Sequence, residues 1–208
     1  MENVDLSNED FVSEYVKTDT RFYRFFRHIA IFMTKILYRP KYYGLEKIPK
    51  EGGLILAPNH VHFPDPGFLI APNERVIRFL AKKELHEGPL GFLYKAANTI
   101  PVDRQGGAHN SLIAAEYVLN QGGVVGVFPE GTRNKKGEQL LLPFKYGAVK
   151  MASETGAYIQ PVGLITRKGR PFIDPYKVVY GDPYKIEKGA DLDLENEKLR
   201  NKIIELIS

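Results

Sequence analysis

The sequence predicts an α/β domain with a mostly parallel central sheet flanked by helices, preceded by an N-terminal amphipathic helical segment. Three observations carry that expectation. From Tyr42 onward, short apolar runs alternate with longer stretches of helical periodicity, the pattern that strand–helix–strand units produce. Glycines and prolines punctuate the junctions. The chain has 208 residues, 43% apolar and 26% charged, which suits one layered core and not a disordered polymer.

Residues 1–20 are polar and acidic without an apolar h-region, so no secretory leader is expected. Residues 21–38, RFYRFFRHIAIFMTKILY, then place Phe22, Phe25, Phe26, Ile29, Phe32, Met33, Ile36 and Leu37 at helical spacing. Arg21, Arg24, Arg27, His28 and Lys35 fall mainly on the other face, Arg39 lies just beyond, and Pro40 ends the helix. The longest strictly apolar run here is Ile29–Met33, far short of the roughly 20 residues that span a bilayer. Two roles fit: a helix packed on the core, or an interfacial helix with its aromatic face in the acyl boundary. The polar face carries no Asp or Glu, which favours an anionic lipid surface.

Strands are expected at 53–57 (GLILA), 75–80 (RVIRFL), 99–102 (TIPV), 124–128 (VVGVF), 159–165 (IQPVGLI) and 176–180 (YKVVY). Helices are expected near 88–97, 108–120, 144–155 and 191–207, the last carrying Leu194, Leu199, Ile203, Ile204 and Leu206 among charges. The domain division is 1–40 for the interfacial segment and 41–208 for the α/β domain.

Several function classes are excluded or disfavoured. Cysteine is absent, which removes disulfides, thiolate metal sites and Cys nucleophiles. The net charge of +4 is mildly basic and suits anionic partners without naming one.

Chemistry concentrates in polar islands that follow apolar strands. The first is Pro58-Asn59-His60-Val61-His62-Phe63-Pro64-Asp65. It leaves the carboxyl end of a strand, where open α/β sheets place ligands. Asp65 followed by Pro66 suits a helix start, with Asp as N-cap. The short turn between them could fold the carboxylate back onto the His60 imidazole. A neutral imidazole is a competent base near neutral pH, and a carboxylate on its other nitrogen fixes the tautomer. A purely structural His–Asp pair is the bland alternative. A metal site is disfavoured, because the H-x-H-x-D-H pattern fails at positions 64 and 65.

The second island, Asn98 to Arg104, ends a strand in Asp103-Arg104, and the third, Val127 to Arg133, breaks a buried strand at Pro129. It delivers Glu130, Gly131, Thr132 and Arg133: an acceptor, a close-approach glycine and an anion-binding fork. A fourth, Gln160-Pro161-Val162, interrupts an apolar run.

Together the islands resemble the glycerolipid acyltransferase family of the H-x-x-x-x-D type. N-H-x-S-x-x-D corresponds to Asn59 through Asp65, G-x-I-x-I-D-R to 98–104, F-P-E-G-T-R to 128–133, and an apolar Pro-Val block to 159–164. Ala81-Lys82-Lys83-Glu84-Leu85 is similar to the segment before the second block. His62 stands where the family has Ser, and Asn98 where it has Gly; His62 is a possible competitor for Asp65.

The resemblance implies an acyltransferase domain over 41–208. It implies transfer of a fatty acyl group from acyl-CoA or acyl-ACP to the free hydroxyl of 1-acylglycerol 3-phosphate, giving phosphatidic acid for phospholipid biosynthesis. His60 and Asp65 would be catalytic; Lys83, Arg104, Glu130, Gly131, Thr132 and Arg133 would bind substrate. No metal and no cofactor beyond the thioester co-substrate is implied. The expected partners are lysophosphatidic acid, the acyl carrier and an anionic membrane surface, not nucleic acid. The expected location is peripheral, on the cytoplasmic face of the cell membrane. Alternative acceptors are glycerol 3-phosphate and other lysophospholipids. The non-enzymatic alternative is a peripheral anionic-lipid-binding protein.

Overall fold

A computed structural model describes residues 20–89, 91–103, 109–134, 139–165 and 176–208. Helix α1 spans Thr20–Leu37, β1 Lys41–Tyr43, β2 Leu54–Pro58, α2 Asp65–Ile70, β3 Ile77–Lys82, α3 Lys83–Glu87 and α4 Gly91–Ala96. They are followed by β4 Ile100–Val102, α5 His109–Asn120, β5 Val124–Gly126, α6 Gly147–Thr155, β6 Tyr158–Ile165, β7 Lys177–Tyr180 and α7 Leu192–Ile207.

The seven strands form one sheet in the order β1-β7-β6-β2-β5-β3-β4. β6, β2, β5, β3 and β4 run parallel. β7 pairs antiparallel with β6, and β1 runs parallel to β7. The reversal has a consequence for the site. The amino ends of β7 and β1 lie on the edge where the other five strands have their carboxyl ends.

β2 explains why the sheet is central. Its residues Leu54 to Pro58 are all buried, as expected of a strand covered on both faces. Alternate side chains serve opposite layers. Ile55 and Ala57 pack with α5, α6 and α7 residues such as Val118, Met151 and Leu199. Leu54 and Leu56 pack with Phe68 and Leu69 of α2 and with Tyr176. The Asp191 carboxylate caps α7 by accepting the N–H groups of Asp193 and Leu194.

The opposite, amino edge is clamped by Arg75. Its guanidinium donates to the carbonyls of Pro49, Gly52 and Gly122, which lie ahead of β2 and β5.

Helix α1 is mounted with its aromatic face outward. Phe22, Phe25, Ile29, Phe32, Met33 and Ile36 are exposed, Phe32 at 62%. The inward face is held by polar contacts. The Ile77 N–H donates to the Tyr23 hydroxyl at 2.9 Å, and Arg27 Nε donates to the Asn73 carbonyl at 2.7 Å. Thr34 is buried against α2, with its Cγ2 3.6 Å from where a Cβ on Gly67 would stand. A helix packed on the core by its apolar stripe is therefore not what forms.

Elsewhere the elements depart from expectation in local ways. The helix anticipated near 88–97 forms only as the shorter α4, and α3, which precedes it, was not anticipated. Gly88 is extended (φ −76°, ψ 174°), and Pro89 follows it with no N–H to donate. Gly91 permits the return, since a Cβ there would stand 2.0 Å from the His86 carbonyl oxygen. β5 ends at Gly126, α6 starts at Gly147, and the edge strand β1 was not anticipated. Asp65 is the first residue of α2 and not its cap, which is Pro64.

Candidate active site

The site is built where β2 leaves the sheet. Asn59 prolongs the β2–β6 ladder with its side chain: Nδ2 donates to the Leu164 carbonyl at 3.0 Å, and Oδ1 accepts the Leu164 N–H at 2.7 Å. With Asn59 fixed, the chain turns and His60 comes off the carboxyl edge.

His60 Nδ1 lies 2.9 Å from Asp65 Oδ2. The same oxygen accepts the N–H groups of Val61 at 2.7 Å and His62 at 2.8 Å. Asp65 Oδ1 accepts the Tyr176 hydroxyl at 2.7 Å. The carboxylate is fully buried, while the His60 side chain keeps 17% exposure. Both carboxylate oxygens thus act as acceptors. The carboxylate's contact with Nδ1 assigns the Nδ1–H tautomer and leaves Nε2 with its lone pair. The competition anticipated from His62 does not arise at its ring, which lies edge-on to Tyr176 at 6.2 Å. What His62 gives Asp65 is a backbone N–H.

The imidazole is seated on an aromatic stack. The His60 ring lies over Phe128 at 3.9 Å with 26° between planes, and Phe128 lies over Phe79 at 5.8 Å. Gly126 makes room, because a Cβ there would stand 2.3 Å from the Phe79 ring.

Residues 128–134, after β5, wrap the backbone of His60. Glu130 Oε1 accepts the His60 N–H at 2.7 Å, Oε2 accepts the Leu142 N–H at 2.8 Å, and the Asn134 N–H donates to the His60 carbonyl at 2.8 Å. Burial pushes the Glu130 carboxyl above the usual range, against the opposing pull of those two N–H groups. Both Glu130 oxygens are thus engaged with backbone. Gly131, Thr132 and Arg133 sit in the turn this creates, and all three are at least partly exposed. Gly131 is left-handed (φ 65°), a conformation glycine adopts without a side-chain penalty.

Lys83 is on the same edge, two strands from His60, at the end of β3. It is half exposed and shared between Asp103 at 3.4 Å and Glu87 at 3.8 Å. Arg104 lies outside the described residues. Asn98 adopts φ 54°, which a small polar side chain tolerates best after glycine.

Three contributors escaped the sequence reading. Phe128 was visible as part of F-P-E-G-T-R but not as a platform. Lys145 arches over the turn: its N–H donates to the Pro129 carbonyl at 2.8 Å, and its Cε lies 2.9 Å from a Cβ placed on Gly131. Tyr176 carried no local signal, since it meets Asp65 across 111 positions. Among the described residues, no three His, Asp or Glu side chains converge on a metal position.

A mostly parallel sheet that presents a histidine–carboxylate pair and exposed cations at its carboxyl edge has the organisation of an α/β enzyme. The chain belongs to the acyltransferase family, whose model matches residues 39–165. It is 36% identical over 126 residues to a 1-acyl-sn-glycerol-3-phosphate acyltransferase of Borreliella burgdorferi, covering 58% of this chain and 49% of that one. A Bacillus subtilis protein of the same name is 30% identical, over 69% of this chain and 72% of its own. The chain thus spans about half of the first relative and nearly three quarters of the second. Its fold matches the crystal structure of the 1-acyl-sn-glycerophosphate (LPA) acyltransferase PlsC from Thermotoga maritima. The TM-score is 0.68 at 21% identity, over 95% of this chain and 86% of that one.

Proposed function

We propose that the protein transfers a fatty acyl group from an acyl thioester to the free hydroxyl of 1-acylglycerol 3-phosphate, forming phosphatidic acid. The observation that carries the reading is the His60–Asp65 contact of 2.9 Å, with the F-P-E-G-T-R turn bound to the His60 backbone. The names of the relatives support the same acceptor.

In this mechanism His60 Nε2 takes the proton of the acceptor hydroxyl as the oxygen attacks the thioester carbonyl. Asp65 stabilises the imidazolium that forms. The tetrahedral intermediate collapses with cleavage of the C–S bond, and the proton passes from His60 to the departing thiolate. The products are the new oxygen ester and the free thiol of coenzyme A or acyl carrier protein. No covalent acyl-enzyme is required.

Cations at the edge would hold the acceptor phosphate. Arg133 offers a planar fork, and Lys145 arches over the same turn. Arg104 and Lys83 remain proposed contributors to the anion site. Glu130 serves the reaction by fixing the His60 backbone, and Gly131 and Thr132 give the acceptor glycerol a close approach.

The acceptor and product are amphiphiles of the bilayer leaflet, and α1 supplies a way to meet them. Its outward face is aromatic, its flanks carry Arg21, Arg24 and Lys35, and no acidic residue occurs within it. Among the described residues no helix is long and apolar enough to cross a membrane. The aromatic and basic pattern of α1 supports peripheral attachment at an anionic surface.

A thiol-release assay tests the function. Acyl-coenzyme A and acyl-carrier-protein donors are each offered with 1-acylglycerol 3-phosphate, glycerol 3-phosphate and another lysophospholipid. Fastest release with 1-acylglycerol 3-phosphate is expected. Release only with another acceptor, or none with any, overturns the assignment.

A further inference from the structure

We propose that Tyr176 is a positioning residue for the catalytic pair: its buried phenol holds the second oxygen of Asp65 and sets how strongly that carboxylate backs the His60 imidazole. The proposal rests on the reading of His60 as base.

The bonding of Asp65 is unequal. Oδ2 serves His60, Val61 and His62, whereas Tyr176 alone among the bonds described reaches Oδ1, at 2.7 Å. Asp65 is fully buried, so an Oδ1 without that hydroxyl would be a charged oxygen without a donor, a costly state.

Tyr176 is held so that it cannot swing away. Its ring stacks on Phe68 at 4.1 Å with 21° between planes, and Tyr38 meets it edge-on at 6.1 Å. Its N–H donates to the Tyr38 carbonyl at 3.2 Å, and its carbonyl accepts the Lys41 N–H at 2.7 Å. Both backbone anchors belong to the segment that follows α1. The antiparallel course of β7 is what brings Tyr176 to the site edge. Burial first, and the Asp65 charge second, hold its phenol far above the usual tyrosine range. It therefore remains a donor wherever the enzyme works.

The chemical consequence has a definite sign. A donor on Oδ1 draws charge from Oδ2 and moderates its pull on the Nδ1 proton. Removing the donor makes Asp65 a stronger partner for the imidazolium, so His60 keeps its proton to higher pH. Among the described residues, the other titratable groups around the pair are Glu130, His62 and Tyr38, with Arg133 in the facing turn and Lys145 over it. None of them is altered by the substitution.

The test compares the full-length wild type, Tyr176→Phe and His60→Ala with acyl-coenzyme A and 1-acylglycerol 3-phosphate. For Tyr176→Phe the expected result is kcat lowered roughly 10- to 100-fold, because a carboxylate released at Oδ1 can turn and misplace the imidazole it orients, with KM within about twofold. The acid limb of the kcat/KM profile should move to higher pH. A site-specific 3-fluorotyrosine at position 176 keeps the ring but donates more strongly, and should move that limb the other way. An unmoved limb in both variants, or a rise in KM without loss of kcat, assigns Tyr176 to packing and overturns the proposal. If Tyr176→Phe does not fold, the fluorotyrosine arm decides alone. An active His60→Ala instead overturns the base reading itself, whatever Tyr176 does.

Discussion

Glu130 and His60, 70 positions apart, are joined by a single hydrogen bond from the His60 N–H to Oε1 at 2.7 Å. The other Glu130 oxygen accepts the Leu142 N–H. One buried side chain thus fixes the catalytic loop to the β5 turn and the turn to the segment behind it. Glu130→Ala leaves two N–H donors without their acceptor, at about 1–3 kcal/mol for each that water fails to reach. A loss of at least about 2 kcal/mol in urea unfolding is expected from that range. Activity at permissive temperature should fall as well, because the His60 backbone loses its anchor. Unchanged stability would mean that water replaces the carboxylate.

Asp65→Asn examines the tautomer. An amide presents one oxygen where the carboxylate presents two, and Asp65 receives donors on both. If the NH₂ faces His60, Nδ1 must become an acceptor and the proton moves to Nε2, which blocks the base. A fall in kcat of roughly 10²–10⁴ is expected, with little change in KM. Retention of near-wild-type kcat would remove Asp65 from the mechanism.

How much of this was legible in the chain depended on the range of the interaction. The His60–Asp65 pair spans five residues, and its strand-then-turn setting is local, so sequence could propose it. The role given to Asp65 as helix cap failed because the His60–His62 loop competes for the carboxylate and wins three of its bonds. Tyr176 was invisible, since its contact depends on β7 running against its neighbours, which a short strand pattern cannot reveal. For α1 the amphipathic spacing was readable but not the mounting. Tyr23 and Arg27 bind the domain through single polar groups, and those bonds turn the aromatic stripe outward.

That mounting gives a prediction for Phe25 and Phe32. Both are about three-fifths exposed, at 59% and 62%, so Phe25→Ser with Phe32→Ser should leave the melting temperature nearly unchanged. Burying a phenylalanine in an apolar phase is worth about 1.5–3 kcal/mol, and about 1.4 kcal/mol is tenfold in affinity. Co-sedimentation with vesicles containing phosphatidylglycerol should therefore weaken by roughly 100-fold or more. Undiminished binding would move the membrane contact off α1.

Arg75 separates stability from chemistry. It ties the loops ahead of β2 and β5 on the edge remote from His60. Arg75→Met removes the charge-assisted donors from three carbonyls, each such bond being worth about 1.5–3 kcal/mol when intact. Water reaches part of this cluster, so a net loss of about 2–4 kcal/mol in urea unfolding is expected. The kcat measured below the melting transition should remain within about twofold of wild type. A large kcat defect in folded protein would show that the two edges are coupled.

His86 connects stability to pH. Thr99 donates its hydroxyl proton to the Tyr94 carbonyl at 2.9 Å, so at 3.0 Å it accepts from His86 Nε2–H. That bond needs a proton on Nε2 alone, and burial, with Lys95 second, lowers the ring's affinity for a second proton. The unfolded chain returns the group to an ordinary value of about 6.5. In the window just below that value the unfolded state binds more protons than the folded one, so stability rises with pH there. The contribution is complete above the unfolded value and is lost as pH falls through the lowered folded one. His86→Gln keeps an amide donor for Thr99 but has no proton to take up. The stability gap between wild type and His86→Gln should narrow from pH 8 to pH 5, read as urea midpoints at three pH values. A constant gap across that range would show that His86 does not titrate with folding.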